Sequence, residues 1–443
     1  MGRITTIFIF TAVVLFNLSS GAHAADWNMW GKDTGHTSYT TDSVEPPLKV
    51  SWNFDLGYRS PGFGPVEPVV SNNTVYTRGI TVDGQNVQGW LFALNASTGK
   101  LIWKYKTNWD IRGIAVLGDL VVVSDDMNIY ALSNGTEKWR REIGSGSQPL
   151  IIYKNLVLSG QAFALSLENG SLVWTYEPEL PGADETHLVN NWARPLAAGE
   201  NKVILAVETI QTYYTGPRVP TVTEPPKLGE PIPPEPPQNI STIIFSLNAE
   251  TGKEEWVKRI PFSIESAPVI SNGKLFIGSN GSVQAYLLED GREVWRTVLP
   301  GFRKVEAVKD NLLFAGGTTL SMEDGKKVFT YESSLSSPSL AVSGDILYVA
   351  GSSNSALLEA LNASTGELIW RGVKVIGYNS ASKPVISGDK LFLTAQDGKL
   401  YAFSHGTPSA GETLGLPMRA PSLGAVLSIL VLLGASIIIR RKK

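Results

Sequence analysis

The densest grouping of chemically active side chains in this sequence begins at Asp184. Glu185 and His187 follow at once, and Trp192 and Arg194 come a few residues later. A carboxylate, an imidazole and a guanidinium so close together can bind a polar ligand or hold a proton. The spacing predicts a long loop between two repeats, which is where binding residues are often carried. The alternative is a solvated loop without a ligand.

The sequence shows no further catalytic or metal-binding pattern. His36, His187 and His405 are far apart and do not have the spacing of metal ligands. The segment 124–128 has two adjacent aspartates but lacks the regular oxygen spacing of a calcium loop, which favours a turn. No Gly-x-Ser-x-Gly elbow and no phosphate-binding loop occurs. We therefore assign no catalytic residue and no metal ligand.

Composition points to an exported β protein. The 443 residues include 43 Gly and 26 Pro, and amphipathic helical stretches are scarce, which favours an all-β fold. The net charge is −3, and five basic residues lie in the two predicted targeting segments, so the body carries −8. This acidic balance argues against nucleic acid as a partner. There is no cysteine, so no disulfide contributes to stability.

Both ends predict membrane targeting. Residues 1–24 have one early cation, an apolar run and a small-residue cleavage site, as a signal peptide does. Residues 423–439 form an uncharged apolar run at the lower limit for a transmembrane or sorting helix. The basic tail 440–443 is expected in the cytoplasm. The body 25–404 and the linker 405–422 are therefore expected on the extracytoplasmic face of the membrane.

A repeat organises the body. The string LFALNASTGKLIW, which ends at Trp103, returns as LLEALNASTGELIW at Trp370, and each predicts a strand, a tight turn and a second strand. A second strand pair precedes each hairpin. The repeats recur at intervals of 34 to 51 residues, with one interval of 82. Four short strands at this period indicate propeller blades. The terminal aromatic residues are Trp52, Trp103, Trp139, Trp174, Trp256, Trp295, Phe329 and Trp370.

The eight terminal aromatic residues, one for each repeat, predict an eight-bladed β-propeller of four-stranded antiparallel blades. The last repeat lacks its fourth strand, and the N-terminal segment around Trp52 is an unattached strand. Pairing the two would close the ring and leave no exposed sheet edge.

The motif from Ala93 to Trp103, A-x-N-x-x-T-G-x-x-x-W, resembles the tryptophan-docking motif of the pyrroloquinoline-quinone (PQQ) repeat superfamily. The opening segment 27–40 is also similar to the start of such domains, including a non-enzymatic outer-membrane assembly scaffold. The resemblance covers roughly residues 27–404 and implies that each terminal aromatic anchors its blade to the next. WD and kelch repeats fit less well.

PQQ enzymes hold the quinone on the propeller axis over Ca²⁺, which is bound by a Glu, an Asn and an Asp. An Asp base acts on the substrate, and many members have a vicinal disulfide. No segment here matches the metal-binding or base motifs, and there is no cysteine. We therefore expect no cofactor. PQQ and calcium belong only to the alternative interpretation.

Propeller geometry divides the loops between two faces. Loops between blades, and those between second and third strands, form one face, which we call the loop face. Turns within the first and last hairpins form the opposite turn face. The 82-residue interval holds a Pro-rich insertion, 216–237, which is expected as an extended arm on the loop face. The alternative is a spacer without a role.

The loop face is enriched in aromatic residues and arginine, the composition of interface hot spots. The alternative is that these aromatics pack their loops onto the blades. The candidate partner-binding residues are Tyr58, Arg59, Trp109, Arg112, His187, Trp192, Arg194, Phe302, Arg303 and Tyr378, with Phe262 at a similar position.

Several glycosylation sequons are expected on the turn face. Asn95, Asn134, Asn169 and Asn362 fall in closing-hairpin turns, and Asn72 falls in a first-hairpin turn. Glycans there would leave the loop face clear. Asn is also a good turn former, so these sequons have a second explanation. The sequons of the body 25–404 are Asn72, Asn95, Asn134, Asn169, Asn239, Asn280 and Asn362.

Taken together, the sequence predicts a monomeric, non-catalytic propeller at the cell surface that binds a protein or an envelope component through its loop face. The alternative is a PQQ- and calcium-dependent oxidoreductase. A third interpretation is a carbohydrate-binding or carbohydrate-hydrolysing propeller, which paired carboxylates on the axis would support.

Overall fold

The structure is a computed structural model, and every regular element in the residues that it describes is a β-strand. The residues described are 25–57, 66–83, 86–144, 150–182, 187–193, 196–213, 238–264, 266–302, 304–352, 358–372 and 381–407. Within them, no helix has the length and hydropathy needed to span a bilayer. The predicted signal peptide, Pro-rich insertion and C-terminal helix lie outside these residues.

The described residues form 33 strands. The first two are β1 (Tyr39–Thr40) and β2 (Leu48–Asp55). Blades 1 and 2 contain β3 (Val69–Ser71), β4 (Thr74–Asp83), β5 (Asn86–Asn95), β6 (Leu101–Lys106), β7 (Gly113–Leu117), β8 (Leu120–Ser124), β9 (Asn128–Ser133) and β10 (Thr136–Glu142). Blades 3 and 4 contain β11 (Leu150–Tyr153), β12 (Leu156–Ser159), β13 (Phe163–Ser166), β14 (Leu172–Thr175), β15 (His187–Ala193), β16 (Ala197–Gly199), β17 (Lys202–Tyr213), β18 (Gln238–Asn248) and β19 (Glu254–Ile260).

Blades 5 and 6 contain β20 (Val269–Ser271), β21 (Lys274–Leu287), β22 (Glu293–Phe302), β23 (Val305–Lys309), β24 (Leu312–Ala315), β25 (Thr318–Ser321) and β26 (Lys327–Thr330). Blades 7 and 8 contain β27 (Ser336–Ser343), β28 (Ile346–Ser352), β29 (Leu358–Asn362), β30 (Leu368–Gly372), β31 (Val385–Ser387), β32 (Lys390–Ala395) and β33 (Lys399–His405). Each blade is an antiparallel sheet, and β1 adds to blade 7 in parallel with β27.

Burial follows the position of each strand in its blade. The inner strand β8 is a run of Leu and Val whose residues are almost all buried, because neighbouring blades cover both of its faces. The outermost strand β10 alternates between exposed and half-buried residues, because one of its faces meets solvent. The apolar core therefore lies between blades and continues around the ring.

Blade 5 contains only three separate strands, but the longest of them, β21, forms both the second and the third strand of the blade. The long strand β21 turns back at Asn280–Gly281, where Gly281 has φ +91°. The amide of Leu288 donates to the carbonyl of Gly273 at 2.9 Å. The same bond joins second and third strands in other blades, as from Ala96 to Asn73. Blade 5 is therefore a regular four-stranded blade with a two-residue turn on the loop face.

The ring closes as the sequence predicts. Strand β2 pairs with β33 in antiparallel register, with Trp52 opposite Ala402. The innermost strands contact one another in a cycle, from β3 through β7, β11, β16, β20, β23 and β27 to β31 and back to β3. This confirms the eight-bladed propeller whose last blade is completed by the N-terminal strand.

The segment 26–40 lies inside the ring, which the sequence did not reveal. It runs around the inner strands near the turn face, and its backbone carbonyls accept hydrogen bonds of 2.8 to 3.0 Å from six blades. The acceptor–donor pairs are Trp27–Val70, Asn28–Val116, Thr34–Ala198, Gly35–Ile270, Thr37–Val308 and Ser38–Val342. This N-terminal segment therefore lines the turn-face end of the central channel.

Blade 4 extends beyond the ring on the loop face. Strands β17 and β18 pair without a break from Lys202–Asn248 to Thr212–Gln238, on either side of the Pro-rich insertion. Strand β15 covers the outer half of β17. The predicted loop at 187–193 is therefore wrong, because this segment finds a strand partner in the long hairpin. Phe302 likewise ends β22 opposite Asn280 and does not lie in an open loop.

Candidate functional site

The indole groups of the outer strands meet the adjacent blade. In five blades the Nε1 atom donates to a backbone carbonyl of the next blade at 2.9 to 3.1 Å. The pairs are Trp52–Ala96, Trp139–Leu167, Trp174–Ala249, Trp256–Leu288 and Trp295–Met322. Trp103 lies against Gly135, Phe329 lies against Gly366, and Trp370 packs on the core of blade 8.

Of the candidate partner-binding residues, Trp109 and Arg112 have described side chains. For His187, Trp192 and Phe302 the structure gives the strand position alone, in β15 and β22. The others lie outside the described residues, namely Tyr58, Arg59, Arg194, Arg303 and Tyr378. Phe262 packs against the core of blades 4 and 5, with the Arg296 guanidinium 5.5 Å from its ring centre. Phe262 therefore packs its loop against the blades.

Trp109 behaves differently from Phe262. Its side chain is 52% exposed, and it is the one exposed tryptophan among the side chains that the structure describes. Its backbone is nevertheless fixed, because its amide donates to Asp125 Oδ2 at 3.2 Å and its carbonyl accepts from Thr107 Oγ1 at 2.7 Å. We call residues 107–112 the Trp109 loop. It presents a large aromatic to solvent from a rigid support.

A buried ion pair holds the same loop from below. Arg78 Nη1 lies 3.1 Å from Asp110 Oδ2, and both side chains are less than a tenth exposed. Burial raises the pKa of Asp110, while the charges of Arg78 and Arg112 pull it back down. Arg112 lies half-exposed beside the pair and binds Asp126 through Nε at 2.7 Å. The Trp109 loop therefore carries an exposed tryptophan on a fixed backbone and an arginine that is held in an ion pair.

A second polar cluster lies on the axis. Lys383, just before β31, donates from Nζ to Ser38 Oγ at 2.8 Å and to the carbonyl of Glu306 at 3.1 Å. Its ammonium lies 5.7 Å from the ring centre of Trp30, a cation–π distance. It also acts electrostatically on the buried Glu67 and Glu306. Lys383 is therefore the cation that two buried carboxylates share.

Burial dominates the acid–base behaviour of this axial cluster. It raises the pKa of Glu306 to about 7, against the opposing charges of Lys383 and Lys304. It also raises the pKa of Glu67 and lowers that of His36 to about 4. No sequence pattern indicates this convergence, because the three residues belong to blade 1, blade 6 and the N-terminal segment.

Arg112 connects the Trp109 loop to the axis. It lines a cavity of about 40 Å³ together with Glu67 and Trp30. The remaining walls come from Val66, Val69, Ile111, Gly113, Ile114 and Leu150. The loop face therefore leads from an exposed tryptophan to a small cavity with mostly apolar walls and two charged side chains.

A quinone held over Ca²⁺ on the axis would need oxygen ligands for the metal ion. A calcium site takes six to eight oxygen ligands. Among the described residues, no group of three or more His, Asp or Glu side chains is placed to hold a metal ion. The charge beside Glu67 and Glu306 is the Lys383 ammonium, which would repel a divalent cation. These residues do not fit the calcium-bound quinone of the enzymes.

The sequons lie on both faces. Asn72, Asn95, Asn134, Asn169 and Asn362 are in turns of the turn face, whereas Asn239 and Asn280 lie on the loop face. Asn95 Oδ1 accepts from the amide and hydroxyl of Thr98 at 3.0 and 2.9 Å. Asn248 makes the same two bonds with Thr251, although Asn-Ala-Glu is not a sequon. Turn chemistry alone thus accounts for asparagine at this position.

Comparison with known proteins agrees with this geometry. A family model, PQQ_2, described as outer membrane protein assembly factor BamB, matches residues 33–214, 240–334 and 279–409. BamB of Yersinia pestis is 24% identical over 364 residues, which cover 74% of this chain and 83% of that protein.

A quinoprotein enzyme matches in sequence over a smaller part of its own length. The alcohol dehydrogenase PedH of Pseudomonas putida is 27% identical over 182 residues, which are 38% of this chain and 24% of the enzyme. The chain thus spans about a quarter of that relative. The crystal structure of a quinohemoprotein alcohol dehydrogenase from Comamonas testosteroni superposes with a TM-score of 0.62 at 14% identity, covering 88% of this chain and 82% of that one.

The residues matched by the family model extend over almost the whole propeller. The chain belongs to the PQQ_2 family, the propeller family of the outer membrane protein assembly factor BamB.

Proposed function

We propose that this chain is a non-catalytic scaffold at the cell surface that binds a protein partner through its loop face. One observation carries the proposal, namely the exposed indole of Trp109 on a loop that the Arg78–Asp110 pair and Asp125 hold rigid. Tryptophan and arginine are enriched in binding hot spots. A rigid loop loses little conformational entropy on binding, so its contacts contribute more to affinity.

The family supports a scaffold over an enzyme. BamB, whose name describes an assembly factor, matches this chain over most of its own length, whereas the dehydrogenase PedH matches over a quarter. In the described part of the axis, the Lys383 ammonium beside Glu67 and Glu306 would also repel a calcium ion. The quinoprotein oxidoreductase remains the alternative function, because those enzymes share the fold.

The position of β33 supports presentation at the surface. This strand ends at His405 on the turn face, where the amide of Gly406 donates to the carbonyl of Pro47 at 2.8 Å. A tether that starts at this point would hold the turn face towards the membrane. The loop face would then point outward, where a partner can reach it.

The experiment compares the wild-type full chain with two variants, in which the substituted side chains are about equally exposed. Trp109→Ala removes the proposed anchor, and Ile102→Ala removes a residue that is 53% exposed on the outer strand β6. Each purified protein is used to capture partners from envelope extract, and the affinity for the captured protein is then measured. We expect Trp109→Ala to weaken binding at least about tenfold, because truncated anchors cost about 2 kcal/mol or more. Ile102→Ala should bind like wild type.

Equal binding by Trp109→Ala and wild type would contradict the proposal. The alternative function has its own test, in which PQQ and Ca²⁺ are added to the full chain during thermal unfolding. A melting temperature raised by several degrees would favour the oxidoreductase, because a ligand that binds the native state stabilises it.

A further inference from the structure

One carboxylate oxygen of Glu67 is buried inside the propeller without a hydrogen-bond partner among the described residues. The side chain is 8% exposed, and its Oε1 atom accepts hydrogen bonds from Trp27 Nε1 at 2.7 Å and from the amide of Gly31 at 2.9 Å. The Oε2 atom is buried and has no hydrogen-bond partner within the described part of the chain. Leaving a buried acceptor unsatisfied costs about 1–3 kcal/mol, and more for a charged group. The geometry therefore calls for a donor at this point.

Glu67 lines a cavity of about 40 Å³, which is the space beside this side chain that a donor would occupy. One water needs roughly 10–15 Å³ of such volume, so the cavity accepts a few waters or one small functional group. Pockets that bury an entire drug-sized ligand are about 300–1,000 Å³. A ligand would thus insert one arm here and leave its remainder on the loop face.

Arg112 supplies a second polar group in the lining of the cavity. Its Nε and Nη2 groups are bound to Asp126 at 2.7 and 3.2 Å. Its Nη1 lies 3.7 Å from Asp110 Oδ2, which is beyond hydrogen-bonding distance and leaves N–H donors for a ligand. The cavity therefore offers an acceptor from blade 1 and a donor from the loop before blade 2.

The charges around the cavity favour a neutral ligand. Lys383 already acts on Glu67, and the two aspartates balance Arg112. An added cation would meet Lys383 and Arg112, whereas an added anion would meet Glu67 and Asp110. A neutral group that both donates and accepts avoids these costs.

We infer that the cavity beside Glu67 is a binding site for a neutral saccharide. One hydroxymethyl arm donates its hydroxyl to Glu67 Oε2, and a neighbouring oxygen of the sugar accepts from Arg112 Nη1. A sugar places two oxygens close together, whereas a serine or threonine side chain brings one. The Trp30 ring and the apolar walls suit the C–H surface of a sugar. This site shares Arg112 with the Trp109 loop, but its acceptor Glu67 takes no part in the proposed protein contact.

The test uses the full chain on an array of neutral glycans. Hits are confirmed with free hexoses, N-acetylhexosamines and their disaccharides by titration of tryptophan fluorescence. Glu67→Gln keeps an oxygen for Trp27 and Gly31 but replaces the acceptor in the cavity with an NH₂ group. We expect it to lower affinity at least about tenfold. Glu306→Gln is the matched control, since Glu306 is equally buried beside Lys383 but does not line the cavity.

Three results would overturn the inference. The first is a folded wild-type protein that binds none of the neutral saccharides. The second is unchanged saccharide affinity in Glu67→Gln, with a cooperative melting transition showing that the variant is folded. The third is Glu67-dependent binding of amines or of serine-containing peptides without binding of sugars, which would assign the cavity to another class of ligand. Capture of a protein partner by Glu67→Gln should persist in every case.

Discussion

The indole Nε1 of Trp52 donates a hydrogen bond of 2.9 Å to the carbonyl oxygen of Ala96, and this bond joins the last blade to the first. The ring of Trp52 also lies against Gly99, in the closing turn of blade 1. Because Trp52 belongs to the N-terminal strand, that strand both completes the last blade and anchors it to the first blade. The same contact recurs between internal blades, where the chain itself already connects them.

We expect Trp52→Ala to lower the free energy of unfolding by about 3 kcal/mol, as truncation of a packed aromatic does. The loss includes the inter-blade hydrogen bond and the contact with Phe392, whose ring centre is 5.9 Å away. Urea unfolding of the full chain measures the change. Trp109→Ala is the control, since its side chain is exposed and should cost less than about 0.5 kcal/mol. Equal stability of the two variants would show that Trp52 does not anchor the ring.

Gly99→Ala isolates the contact beneath Trp52. Gly99 has φ +70°, and an added Cβ would lie 2.6 Å from the Trp52 ring. Gly118 has φ +58° with no atom within 4 Å of its added Cβ, so Gly118→Ala carries the backbone strain alone, about 1–2 kcal/mol. We expect Gly99→Ala to lose clearly more stability than Gly118→Ala in the same urea titration. A difference of zero would mean that the indole shifts at no cost.

Arg78→Met tests the support of the Trp109 loop. The substitution leaves Asp110 buried without its closest cation, which typically costs about 3–5 kcal/mol when no other partner compensates. Arg112, 3.7 Å from Asp110, should limit the loss to about 3 kcal/mol. Arg292→Met is the matched control, because its pair with Asp290 is 4.0 Å long and exposed and should contribute below about 0.5 kcal/mol. Thermal unfolding compares the two, and a similar melting temperature for both would contradict a role for the buried pair.

Glu306→Gln should change how stability depends on pH. The folded-state pKa of Glu306 is about 7, against an ordinary value of 4.5, so the folded chain keeps a proton that the unfolded chain releases. The free energy of unfolding should therefore fall by about 3 kcal/mol as pH rises through this window. Glu306→Gln should remove that decline and be the more stable protein above pH 7. Urea midpoints between about pH 4 and pH 8 measure the effect.

Glu359→Gln provides the opposite sign in the same titration. Burial pushes the pKa of Glu359 up, but hydrogen bonds from Ser334 and Ser333 and the Arg371 guanidinium outweigh it, so the pKa is lowered. Its contribution is present above the ordinary pKa and is lost as pH falls through the folded-state value. The variant should be less stable than wild type at neutral pH, and the difference should shrink on acidification. Parallel pH curves for the two glutamine variants would contradict both assignments.

Local pattern made most of the fold predictable. Each hairpin carries its own strand alternation, turn residues and terminal aromatic, so its pairing depends on residues close in sequence. Strand β15 was missed because its partner is the outer half of β17, and nothing within 187–193 signals that this hairpin extends beyond the ring. Phe302 was expected in a loop because of its distance past the terminal aromatic Trp295, yet β22 continues to Phe302.

The sequence by itself determined the number of blades and the closure of the ring, because a repeated hairpin specifies a repeated sheet, and a closed ring leaves no sheet edge unpaired. Only the tertiary structure decided which residues meet at the axis. Glu67, Glu306 and Lys383 lie at the starts of three inner strands, separated by long stretches of chain. The alternation along a strand shows which residues face each neighbouring blade. It does not show which residues lie next to the axis. The circular arrangement of the blades brings these three residues together around the N-terminal segment.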